Sequence, residues 1–183
     1  MQRGDVATSI RLLDLQPSPK YQFQYLFSLL HQTYPAKDSE AIKLILSKAE
    51  ITLSKLPDNY EKFEMRLQFA ETIMKTDQEK SFLMLQDAGA QLAHVISSGC
   101  AYLQFKGNEG FEDDELNLND KSDLNNWLGR YAKSLCEIAP YNLTKTMDMV
   151  ELLQRQDVKI KVQSIIIGDL LDDHSLSCEE KRW

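Results

Sequence analysis

Apolar residues along this chain recur at steps of three and four, the spacing that draws one oily stripe along a helix. Read with its breaks, the pattern predicts eight helices and no strands. The first covers about 5–15 and stops before Pro17-Ser18-Pro19; the second, about 20–34, ends at Pro35, because proline lacks the N–H a helix needs. The third spans about 38–56, with Ile42, Ile45, Ala49, Leu53 and Leu56 in phase, and Pro57 ends it. The fourth opens at Asp58-Asn59-Tyr60-Glu61 and runs to about residue 75. The fifth opens at Thr76-Asp77-Gln78-Glu79 and ends near Ser98-Gly99 or a turn or two beyond. Both openings have the spacing of a capping box, in which a side-chain oxygen accepts an orphaned N–H. Gly107, Gly110 and an acidic run mark a loop insertion at about 105–120. Helices resume at about 121–138, 143–154 and 158–171, and the tail of about 173–183 is expected to fray.

The helices also repeat. Lys62, Phe63, Met65, Phe69, Ala70, Ile73 and Met74 pair by class with Lys159, Ile160, Val162, Ile166, Ile167, Leu170 and Leu171, all at one offset of 97 residues. Tyr131, Ala132, Leu135 and Cys136 answer Phe69, Ala70, Ile73 and Met74 at an offset of 62. The two offsets differ by 35 residues, about the size of one helix-turn-helix unit. Helix starts repeat too, a small residue preceding a large apolar one at Ala41-Ile42, Ser81-Phe82 and Thr146-Met147. Helix pairs of this kind must stack to bury their faces. The expected fold is therefore all-α, a superhelical solenoid of stacked hairpins forming one domain over 1–183. A compact irregular bundle competes, because any two amphipathic helices can be slid into phase.

Bulk properties narrow the function. The 183 residues are 43% hydrophobic and 27% charged, with a formal net charge of −7. That suits a folded chain and disfavours nucleic acid, whose phosphates call for clustered Lys and Arg. Anionic membranes are disfavoured likewise. No run approaches the roughly 20 apolar residues of a membrane span, and 1–5 lack the apolar core of a secretory signal. Cys100, Cys136 and Cys178 are odd in number and widely spaced, so a reducing cytoplasm is expected.

The start Asp77-Gln78-Glu79-Lys80-Ser81-Phe82, and Trp127-Leu128-Gly129 with Tyr131, give roughly 37–172 a resemblance to tetratricopeptide-like and related bacterial α-helical repeat proteins. The match departs in detail: the Trp-to-Tyr spacing is compressed and the terminal proline of the signature is missing. The resemblance implies a scaffold or peptide-binding role and carries over no catalytic residue.

Candidate chemistry is sparse. His31, His94 and His174 form no metal-site spacing. A half-buried structural role is expected for His94, and a solvated tail for His174 beside Asp172, Asp173 and Cys178. No nucleophile signature occurs, and Cys136, at a repeated apolar position, reads as a small core residue. Glu112, Asp113, Asp114 and Glu115 lack the glycine of a calcium loop; they suit a solvated loop or a contact for a basic partner. In the second helix Tyr21 and Tyr25 share one face and Phe23 and Phe27 another. Such aromatics usually pack in a core, but an outward pair would offer a contact surface. The expected function is a non-catalytic interaction module that binds a protein or peptide segment in a helix-lined groove, without cofactor or metal. Tyr21, Tyr25 and the four acidic residues are its candidate contacts. The alternative is a small-ligand binder or enzyme built in an irregular helical bundle, with His94 and carboxylates meeting in a closed pocket.

Overall fold

A computed structural model describes residues 3–33, 38–105, 111–112, 115–116 and 123–180, with side chains described for 6–33, 38–102, 105 and 123–172. The fold is all-α. Among the described residues are eight helices: α1 (Arg3–Leu13), α2 (Pro19–Thr33), α3 (Ser39–Ser54), α4 (Tyr60–Ile73), α5 (Gln78–Phe105), α6 (Asp123–Ile138), α7 (Leu143–Glu151) and α8 (Gln156–Glu180). The inserted loop adds what the apolar pattern did not predict, a two-residue antiparallel ladder of β1 (Phe111–Glu112) and β2 (Glu115–Leu116). A pairing so short needs no alternating run of side chains, so it leaves no period to read.

Short polar side chains set the helix starts. Asp38 accepts from the Ala41 N–H at 3.2 Å and Asn142 from the Lys145 N–H at 3.0 Å. At α4 and α5 the cap lies one residue later than the box spacing predicts. Asn59 accepts from the Lys62 N–H and Asp77 from the Lys80 N–H, each at 3.0 Å. Asp58 instead pairs with Lys62 Nζ at 2.8 Å, and the Thr76 hydroxyl donates to the Ile73 carbonyl that ends α4. One helix outruns its predicted end: α8 continues through 172–180, while α5 ends at Phe105, within the turn or two beyond Gly99 that the pattern allows. The α8 extension contains no proline, and adding a residue to an existing helix costs far less than starting one.

The chain forms two compact units, residues 1–65 and 66–183, with the boundary inside α4. In the first, α2 packs along α3, burying Phe23, Leu26 and Leu30 of one and Ile45, Ala49 and Leu53 of the other. The α1 residues Val6, Ile10 and Leu13 complete that core, and Lys48 of α3 pairs with Asp14 just beyond α1.

In the second unit α6 packs most extensively on α8. Further contacts join α5 to α6, α5 to α7, α6 to α7 and α7 to α8, and β2 lies beside α8. Both small residues at the starts of these helices are fully buried. Ser81 donates to the Ala70 carbonyl of α4 at 2.7 Å, and Thr146 to the Asn142 carbonyl at 2.9 Å. Gly89 of α5 faces Tyr131 of α6 so closely that a Cβ there would sit 2.3 Å from the tyrosine oxygen. The buried Tyr131 hydroxyl donates to the Leu85 carbonyl at 3.3 Å; glycine is what lets the ring in.

A half-buried polar clamp joins α4 to α6. Arg130 donates to both Glu71 oxygens, at 2.6 and 3.1 Å, and the buried Ser134 hydroxyl donates to Glu71 Oε1 at 2.7 Å. Such charge-assisted, two-pronged bonds fix orientation as well as distance. Arg66 of α4 also donates to Gln91 of α5 at 3.2 Å. No helix of the described residues is long and apolar enough to cross a membrane.

Candidate binding groove

Facing starts of α5 and α7 enclose an open groove of about 330 Å³. Its floor is apolar: Phe82 and Met149 are buried, while Leu83, 62% exposed, stands at the edge. Gln86 and Leu152 continue the wall. Charge lies on both sides, Glu79 from α5 and Lys145 with Asp148 from α7. The Lys145 ammonium sits 5.3 Å from the centre of the Phe82 ring, held by the ring's negative face. Apolar floor, one exposed leucine and a rim of two carboxylates and one ammonium suit an apolar side chain flanked by a cation.

The geometry follows from the helix starts. Asp77 and Asn142 cap α5 and α7, and the buried Ser81 and Thr146 lie on the packed side of those first turns. Phe82 and Met149 are thereby placed at the groove floor.

The residues singled out from sequence lie elsewhere. Tyr21 and Tyr25 project from α2, 61% and 48% exposed, while Phe23 is buried and stacks on Phe27 at 5.5 Å. The aromatic helix is thus split between an inward and an outward face. Glu112 and Glu115 occupy the two-residue ladder, where only the backbone is described, and Asp113 and Asp114 lie outside the described residues. His94, expected to be half-buried, is exposed on α5 and does not line the groove. The stripe of α5 passes it by, since Leu92, Ala93 and Ile96 turn inward instead. The His174 and Cys178 side chains fall outside the described residues. Among the described residues, no three His, Cys, Asp or Glu side chains converge as a metal site would need.

Cys100 and Cys136 are free and buried. Burial pushes the Cys136 thiol up to about 11, with Asp169 of α8 adding to the effect, and burial raises Cys100 too. A thiol held in its neutral form is a poor nucleophile.

None of the groove residues was a candidate from sequence, although Ser81-Phe82 and Thr146-Met147 stood out as repeated helix starts. The missing signal was the mutual approach of α5 and α7 across the inserted loop. The chain matches no known protein family, and neither the curated proteins nor the solved structures contain a significant match to it.

Proposed function

We propose that this chain is a helical-repeat interaction module that takes a protein or peptide segment into the groove between α5 and α7. The groove itself carries the reading: an exposed leucine over a buried aromatic floor, rimmed by charge of both signs. Supporting it is the packing of the second unit, where α5 meets α7, α6 meets α8, and each hairpin partner meets its own. Contacts of this kind are expected of stacked hairpins, whose first helices line one shared face. Glu79 and Asp148 outnumber Lys145 on the rim, and the whole chain carries −7. The preferred segment is therefore an apolar residue next to a Lys or Arg, in an extended or helical peptide.

The test is selection of binders from a random peptide library, followed by fluorescence anisotropy on the enriched sequences. Enriched peptides should share an apolar–basic pair. Leu83→Arg should weaken them at least about tenfold, a loss of roughly 1.4 kcal/mol, with helical circular dichroism unchanged. Failure to enrich any peptide, or equal binding by Leu83→Arg, would count against the groove.

A further inference from the structure

The groove between α5 and α7 is lined by polar groups that find no partner within the chain. Among the described residues, Glu79, Gln86 and Asp148 have no side-chain hydrogen bond or ion pair, and all three are exposed. Lys145 lines the same groove, yet its ammonium meets the Phe82 ring at 5.3 Å rather than either carboxylate. Spacing does not forbid a pair. Lys145 and Asp148 are three apart on α7, and Glu40 and Lys43, three apart on α3, do meet at 3.9 Å. Elsewhere lysines take up nearby acids, as Lys20 does Glu61, Lys62 Asp58 and Lys159 Glu151.

Exposed carboxylates alone mark nothing, since water satisfies them. What sets these apart is the aromatic floor they share. Phe82 is buried, with the Lys145 ammonium lying over its ring, so one cation already occupies the ring face. Glu79 and Gln86 line the α5 wall and Asp148 the α7 wall, which sets acceptors on both sides of that floor.

An ammonium suits this arrangement poorly. It is a compact, strongly hydrated point charge, and here it meets the ring and leaves both carboxylates unpaired. A guanidinium is flat, stacks on an aromatic face, and sends five N–H donors outward in its own plane. Stacked on Phe82, it keeps its edge free for acceptors on either wall.

Resting on the peptide-binding reading above, we propose that the cation the groove takes is an arginine of the partner segment. It displaces Lys145 from the Phe82 ring and shares its donors between Glu79 and Asp148. The segment's neighbouring apolar side chain lies on Leu83. Lys145 is then an internal competitor for the ring face. Its hold is slight, because a cation–ring contact at an exposed site is worth a factor of about two to five. Removing Lys145 therefore strengthens binding, where removing an ordinary lining residue weakens it.

The test is titration of the isotope-labelled whole chain with acetyl-leucyl-arginine amide, followed by backbone amide chemical shifts. Three twins carry lysine, neutral citrulline or glutamate in place of the arginine. The arginine peptide should shift the amides of Leu83 and Gln86. The lysine twin should bind about threefold more weakly and the citrulline twin about tenfold. Lys145→Ala keeps the Asn142 cap, which bonds the backbone N–H, and should tighten the arginine peptide about two- to fivefold. Lys43→Ala removes the same charge from α3 and should leave the affinity unchanged. Glu79→Gln and Asp148→Asn should each weaken it about threefold.

Equal binding of the arginine and lysine peptides would overturn the arginine assignment. So would Lys145→Ala without tightening, or stronger binding of the glutamate twin, which would make Lys145 the group that holds the ligand. In each of these cases binding still lost on Leu83→Arg would leave the groove itself standing. Binding of none of the four peptides would overturn the arginine site, and the library selection then decides the groove separately.

Discussion

α4 and α8 share one sequence pattern and have opposite surroundings. Lysine stands at the matching first position of each, Lys62 paired with Asp58 and Lys159 with Glu151. In α4 the apolar residues that follow are buried on every side: Phe63, Leu67, Ala70 and Met74 as well as Met65, Phe69 and Ile73. In α8 only Val162 and Ile166 of the matching set are buried, while Ile160, Ile167 and Leu171 face outward. The same run of residues is a core in one place and a surface in the other. Hydrophobicity alone therefore does not make a core position. What decides is whether another layer lies against it, as α5 and α6 do against α4 through Ser81 and Arg130.

That contrast can be broken most sharply at the paired positions Ala70 and Ile167. Ala70→Asp puts an unpaired charge into a fully buried site, which costs more than the ~5 kcal/mol many domains have in hand. Loss of the cooperative melt should follow. Ile167→Asp should shift stability by less than about 0.5 kcal/mol, as exposed substitutions do. Gly89→Ala loosens the layer that covers α4, because its methyl collides with the Tyr131 hydroxyl. The expected cost is roughly 1–3 kcal/mol by overpacking, measured by urea denaturation. Tyr131→Phe alone should cost about 1 kcal/mol for the hydrogen bond lost, and the double variant should lose less than the sum of the two. Arg130→Ala leaves the half-buried Glu71 carboxylate with only Ser134 from that clamp. It should destabilise by roughly 1–2 kcal/mol, less than Ala70→Asp and with the α8 face unaffected.

The smallest effect is on pH dependence. Cys136 holds its proton more firmly folded than unfolded, its thiol raised from 9.0 to about 11 by burial. Between those values the unfolded chain binds fewer protons, so stability falls as pH rises from about 9 toward 11 and is unaffected below that. Cys136→Ala should flatten the decline in melting temperature over that range, and native Cys136 should resist alkylation at pH 8.

Much of the fold was legible because its causes are local. Prolines 17, 35 and 57 and the polar caps placed most helix boundaries within a few residues. Phe69, Tyr131 and Ile166, which the sequence offsets pair, are all buried. The end of α8 was misjudged because the polar stretch after Leu171 was read as a stop, whereas it continues an established helix. Capping at α4 and α5 slipped by one residue because two oxygen-bearing side chains stood next to each other, and spacing alone does not rank them. The groove was not legible. Phe82 and Lys145 are 63 positions apart and meet only through the approach of α5 to α7, which the inserted loop conceals. Nor was the open face of α8, because a pattern records which residues are apolar and not what covers them.

Thiol accessibility at the two matched positions tests that contrast most directly. In a Cys178→Ser background, Ala70→Cys and Ile167→Cys would be alkylated under native conditions in dilute solution. The cysteine at 70 should react orders of magnitude more slowly than that at 167, which should match a free thiol. Equal rates at the two positions would contradict the account, since one helix would then be no better covered than the other.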